Sequence, residues 1–392
     1  MGQAKWLIIL IIIFVLLPES GLSSATSSID EELVNNEMAD DLSLHEVNGY
    51  WVEIADEYGG FIPELRKGSL IDWIKNNRQI SVKELVLGFI SYLFSELIVN
   101  GKLLGMLMML TIFSNLLQTM SGAFDKTTVS KVAYFVVYTI LIYLAMNSFF
   151  AVFSYTRDTI DMMSGFMIAL IPLVLGLMAT FGHLLTVSFF HPIVIFLIQS
   201  SGLVVSKIVL PLLLLSAILI IGTSINNNMQ VTHLANLIKT ISIGMLAAFL
   251  TIFLGVMSIQ GAVSAIQDGV AMKTTKFITG NFIPVIGRTF TDATDTILSA
   301  SLLLKNAVGV VGVIMIILIA LFPAVKILAL GLIYKIAAAV LQPIGDGPII
   351  DCLHTISQYI FYTLACLLVI TLMFFLTIVI IVVASNVTLL LR

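Results

Sequence analysis

The chain has 392 residues, of which 59% are hydrophobic and only 11% charged, with a mean hydropathy of +1.08. Soluble domains of this size carry about a quarter charged residues, so that class is excluded and a polytopic membrane protein is indicated. The net charge of −4 comes mostly from acids before Glu84, and no basic tract for nucleic acid is present.

The first stretch has the pattern of a secretory signal peptide, residues 1–25. Lys5 is the positive start, Trp6 to Leu17 is a short apolar run ended by Pro18, and Ser23-Ser24-Ala25 offers a small-x-small cleavage site. An uncleaved anchor is the competing reading. Residues 26–83 form an acidic extracytoplasmic region, opening with Asp30, Glu31, Glu32, Glu37, Asp40 and Asp41. It becomes mixed around Tyr50, Trp51 and Trp73, with a short amphipathic helix over 65–77. Its carboxylates read as a solvated arm rather than as catalytic groups.

Residues 84–392 are expected to form the transmembrane domain. Val82 to Asn100 reads as an amphipathic helix suited to the membrane interface. A first span follows near 102–120, opened by Gly101 and Gly105, a small-xxx-small pair. Further spans are expected at 132–153 and 162–182, separated by a loop at Arg157, Asp158 and Asp161. Pro172 lies in the second of these spans. His183 and His191 flank a short connection without a nearby carboxylate or cysteine, so no metal is expected there. Pro192 to Gly222 is either one kinked helix or two, broken near residues 199–202. Within it, Lys207 is a candidate intramembrane charge, to be weighed against a lysine that snorkels to an interface.

Residues 234–259 make the next span, and the longest polar interruption of the chain, Asp268 to Asn306, follows it. Gly280, Pro284 and Gly287 mark a candidate helix break. Arg288, Asp292, Asp295 and Ser299 recur at i, i+4, i+7 and i+11, a polar stripe along one helix face. That face needs water, headgroups or protein beside it. Apolar runs resume at 307–332, broken by Pro323 and Lys326, and at about 359–384, after a Pro- and Gly-rich interruption at 342–351. The count is about seven or eight spans, each near the roughly 20 residues that cross a bilayer. The fold class expected is therefore all-α, a polytopic membrane helix bundle with broken or interfacial helices. Ile-Pro strings before Gly176 and Gly287 hint at a repeated broken helix of the kind transporters use.

Phosphate loop, dinucleotide fingerprint, zinc-protease and nucleophile-elbow motifs are all missing from the sequence. Cys352 and Cys366 have no metal or redox spacing. The reading is of a non-enzyme without catalytic, cofactor or metal residues, and any work against a gradient would draw on a partner or an ion.

Gly280–Gly287 (GNFIPVIG), Thr291-Asp292-Ala293 and Leu302–Gly309 (LLLKNAVG), with the signal-like start and acidic arm, resemble the stage III sporulation protein AE family of endospore-forming bacteria. The resemblance extends over nearly the whole chain. It implies a multi-pass protein of the mother cell, in the outer forespore membrane. The partners it implies are the other stage III sporulation A proteins, including a cytoplasmic secretion-type ATPase and intermembrane ring proteins. Together they would form a channel to the forespore needed for late gene expression there. A stand-alone secondary transporter of a small solute is the alternative, and an intramembrane enzyme finds no convincing polar cluster. If the signal reading holds, N-terminal sequencing of the mature protein will start near Thr26; a mature chain that retains Trp6 makes the segment an anchor.

Overall fold

The computed structural model describes residues 42–68, 82–123, 128–180, 184–225, 231–282, 286–344 and 348–390, with the backbone alone over 264–305. The signal-like segment and the most acidic part of the arm lie outside these residues. All the described residues belong to one unit, Leu42–Arg392. Every regular element among them is helical: α1 Leu42–Tyr58, α2 Val82–Val99, α3 Gly101–Ala123, α4 Thr128–Thr180, α5 Leu184–Val204, α6 Leu210–Ile225, α7 Thr232–Phe282, α8 Ile286–Leu341 and α9 Pro348–Leu390. The all-α membrane bundle read from the sequence is what the structure shows.

Among the described residues, five helices are long and apolar enough to cross a membrane: Phe135–Ala179, the continuous 191–223, 232–263, Asn306–Leu341 and Pro348–Val383. The pair Lys83–Val99 and Gly101–Leu117, bent by 44°, makes a sixth if taken as one span. The expected count was higher because it cut α4 in two at Arg157, Asp158 and Asp161. No proline or glycine stands there, and Phe149, Val152, Thr156, Ile160, Met163 and Phe166 keep one buried helical stripe across the charges. Side chains three and four apart share a face, so the helix runs on and the polar residues simply turn outward. Pro323 and Lys326 likewise fail to break α8.

The break considered at 199–202 is absent too. Instead, a π-helical turn at Val205–Val209 joins α5 to α6. Pro211 has no N–H to give the Lys207 carbonyl, and the Leu210 N–H bonds to the Val205 carbonyl five residues back. Pro172 lies inside continuous α4, whereas α7 ends at Phe282 and α8 starts at Ile286. The two Ile-Pro strings are therefore not equivalent breaks.

The centre of the bundle is the antiparallel pair α8–α9 with α4 packed on both. Glycines on α8 set their approach. Gly309 faces Val382, Gly312 faces Leu170 and Ile378, and Gly331 faces Ile360 and Phe361, with no space for a side chain at the first two. Small residues let membrane helices approach closely, and dispersion between the packed chains then stabilises the contact. Hydroxyls bind across the helices as well. Ser357 donates to the Gly331 carbonyl at 3.0 Å and Ser242 to the Val209 carbonyl at 2.9 Å. Ser216 donates to the Ala235 carbonyl at 2.6 Å, which leaves the Tyr359 hydroxyl, also at 2.6 Å, to donate to Ser216. By contrast, a side chain at Gly101 or Gly105 would meet nothing within 4 Å among the described residues, so that pair does not carry the packing seen here.

Overpacking a close-packed core typically costs about 1–3 kcal/mol. Gly312→Val should accordingly lower the thermal midpoint of the detergent-solubilised protein. Gly244→Val, at a position with no neighbour within 4 Å, should leave it nearly unchanged. Equal midpoints for the two variants would contradict the packing described.

Candidate functional site

Halfway along the bundle, the N-terminal elements meet the membrane helices. α1 places Val47, Trp51, Ile54 and Ala55 on one buried face, with Tyr58 at its end and Glu46, Glu53, Asp56 and Glu57 turned outward. The 4–3–4 spacing of Val47, Trp51, Ile54 and Tyr58 is a helical stripe that could have been read from sequence. It was hidden among the acids, and the segment was assigned to the arm. Trp51 donates its indole N–H to the Gly68 carbonyl at 3.3 Å, which closes the return of the chain after the short 3₁₀ turn at Pro63–Arg66.

The buried face docks on α4 and α8. Gly165 of α4 gives the Tyr50 hydroxyl its room, and the Tyr50 ring meets Phe166 edge-on at 5.8 Å. Tyr58 stacks on Phe322 with ring centres 3.9 Å apart and planes 2° from parallel. Tyr92 of α2 meets Phe322 edge-on at 5.1 Å, and Phe61 meets Tyr92 at 4.9 Å. Gly88 permits the close passage of Phe61 and Ile62 over α2. Aromatic pairs in these geometries contribute roughly 0.5–1.5 kcal/mol each beyond area burial.

Two carboxylates finish the cluster. Glu57 lies beside the Tyr58 phenol and Glu96 beside the Tyr92 phenol, and each carboxylate also acts on the other phenol. Burial, and then the Glu57 carboxylate beside it, push the Tyr58 hydroxyl well above its ordinary range, so it keeps its proton. Glu96 also takes the Asn100 side-chain amide at 3.0 Å, tying the cluster to the α2–α3 elbow. On the neighbouring face, Lys326 sits 4.2 Å over the Tyr155 ring, and Arg157 pairs with Asp161 at 3.8 Å.

Lys207 is exposed on the π-helical turn, apart from the aromatic cluster. Gly280 is in α7 and Gly287 in α8, and Pro284 lies outside the described residues. Arg288, Asp292, Asp295 and Ser299 do fall on one helix, the first part of α8, with side chains outside the described residues. The structure does not join that stripe to the aromatic cluster. His191 is exposed, Cys352 and Cys366 are buried, and no group of three metal-ligating side chains occurs among the described residues.

The site therefore has the chemistry of a joint. It clamps an amphipathic helix onto the bundle at Phe322, beside Pro323, where the backbone of α8 lacks one hydrogen bond. Removing a buried phenylalanine costs about 3–5 kcal/mol, whereas losing a single hydrogen bond costs about 0.5–1.5 kcal/mol. Phe322→Ala should thus free α1, seen as faster limited proteolysis between Gly59 and Gly68. Tyr58→Phe should keep the clamp with a small loss, and equal protection in all three proteins would refute it.

The family profile described as stage III sporulation protein AE matches residues 65–385. The stage III sporulation protein AE of Bacillus subtilis (strain 168) is 47% identical over 399 residues, with the full length of both chains covered. No solved structure matches the chain. With a profile over most of the chain and a full-length relative at this identity, this multi-pass membrane protein belongs to the stage III sporulation protein AE family.

Proposed function

We propose that the chain is an integral membrane component of a secretion-like channel complex linking mother cell and forespore, needed for late forespore gene expression. Full-length similarity to a stage III sporulation protein AE is the observation that carries this reading. The chain works in the outer forespore membrane during sporulation, as a non-enzymatic subunit. The energy comes from a cytoplasmic ATPase among the other stage III sporulation A proteins, because this sequence has no phosphate-binding loop. Ring-forming proteins between the two membranes are the partners on the other side, and α1 is the element suited to meet them. It is an amphipathic helix clamped on the bundle with its acidic face outward.

Asp292 and Asp295 supply a second contact, either with partner helices or with a wet conduit. Charged residues along one helix face need water, headgroups or protein beside them, and such a stripe gives a partner a polar surface to meet. The deciding experiment is affinity purification of a tagged chain from sporulating cells, combined with spore counts for the double variant Asp292→Leu and Asp295→Leu. Co-elution of the ATPase and ring proteins is expected, and so is a drop in heat-resistant spores of more than an order of magnitude at normal protein level. A chain that elutes alone and forms normal spores with both substitutions would return the reading to a self-standing transporter.

A further inference from the structure

The apolar helices are too long for one bilayer. Phe135–Ala179 has 45 residues and Asn306–Leu341 has 36, about 68 and 54 Å at 1.5 Å per residue, against a hydrocarbon core of about 30 Å. Charges decide which part the lipid covers.

Contacts between helices align their levels. Gly202 of α5 lies against Ser164 of α4, Lys326 of α8 against Tyr155, and Gly312 of α8 against Leu170 and Ile378. The Thr371 hydroxyl of α9 reaches the Met163 sulfur at 3.6 Å. By this alignment Arg157, Asp158, Asp161, Lys207 and Lys326 lie at one depth. Asp158, Asp161 and Lys207 are exposed, and Arg157 and Lys326 are partly so. On one side of that depth, residues 162–180, 184–206, 245–263, 306–325 and 366–384 hold no Asp, Glu, Lys or Arg. Each of these runs is about 20 residues, which is one hydrocarbon thickness. Charges return at the far end, with Asp268 and Lys305. The other half of the bundle carries Glu96, Lys102, Lys239, Lys335 and Asp351 at several depths.

We propose that the hydrocarbon core covers only the charge-free half, in five crossings, and that the mid-height charges form a belt in the lipid headgroups. Lys207 is the belt's contact with lipid phosphate. It is exposed, it lies between the exposed apolar Leu203 and Ile208, and its long stem lets the ammonium reach the headgroups. Phe196 and Val256 then face acyl chains, while Tyr143 and Ile336, though exposed and apolar, stand beyond them. Three of the crossings, 162–180, 184–206 and 245–263, separate α1, which docks at the belt edge against Gly165, Phe166 and Phe322, from the polar stretch 264–305, so the two stand on opposite sides of the membrane. The proposal stands independently of the channel reading.

Spin labels at single cysteines test it in the full chain reconstituted into phosphatidylglycerol–phosphatidylethanolamine vesicles. The native Cys352 and Cys366 are buried and need not be removed. Phe196→Cys and Val256→Cys should relax with oxygen and be shielded from a water-soluble nickel chelate. Lys207→Cys should report headgroup depth, and Tyr143→Cys and Ile336→Cys should be open to the chelate. Deep labels at Tyr143 and Ile336 would overturn the proposal, whether or not Phe196 is also deep. A second arm uses sealed vesicles of one orientation and an impermeant maleimide. Glu57→Cys and Thr274→Cys should label from opposite sides, and labelling of both from one side would rule out the three crossings proposed between them.

Discussion

The constraint on which the rest depends is that a backbone in apolar surroundings has to satisfy its own hydrogen bonds. It explains why α4, α7, α8 and α9 run for 53, 51, 56 and 43 residues. It also explains why proline does not stop them. Pro172 and Pro323 each remove one bond from a helix that continues, and Pro211 is met by a local shift to π-helical bonding. Ending a helix at such places would expose several groups instead of one. Several buried threonines follow the same rule: Thr111, Thr156, Thr363 and Thr377 each bond a carbonyl four residues back on their own helix. These bonds satisfy their hydroxyl protons locally, which leaves the apolar packing beside them undisturbed.

Long helices of this kind make a stiff body, and what distinguishes this one is where polar chemistry is allowed. It gathers where α1 and α2 meet α8. There the carboxylates of Glu57 and Glu96 lie beside the phenols of Tyr58 and Tyr92, and Lys326 covers a ring rather than standing alone. Such pairing lowers the penalty of polar groups beside apolar ones. A clamp of stacked aromatics beside a proline couples a surface helix to the longest helix of the bundle. The proposed role, a membrane subunit that meets proteins on both faces, draws on that connection, because α8 runs from the polar stretch at one end to the clamp and beyond.

Much of this was legible in the order of the residues. Hydropathy alone determined the all-helical membrane class, since continuous apolar runs of about 20 residues, without the alternation of barrel strands, satisfy their backbone as helices. The motifs around Gly280, Asp292 and Lys305 pointed to the family that the full-length comparison shows. The 3.6-residue recurrence of Arg288, Asp292, Asp295 and Ser299 was sufficient to place them on one helix. Sequence likewise singled out Lys207, although not the π-helical turn on which it sits.

Tertiary structure decided what depends on neighbours. Arg157, Asp158 and Asp161 look like a loop because charges in an apolar run usually end it. They stay helical because Ile160 and Met163, on the opposite face, are fully buried in the bundle, Met163 against Thr371 of α9. Gly101 and Gly105 have the spacing of a packing motif, yet Gly309 and Gly312 carry the packing, because spacing says nothing about which face meets another helix. The clamp was invisible for the same reason. Tyr58, Tyr92 and Phe322 are separated by 34 and 230 residues in sequence, and no local pattern records that their rings meet. Composition and periodicity determine what a segment is; which segments touch is set by the packing of the whole bundle.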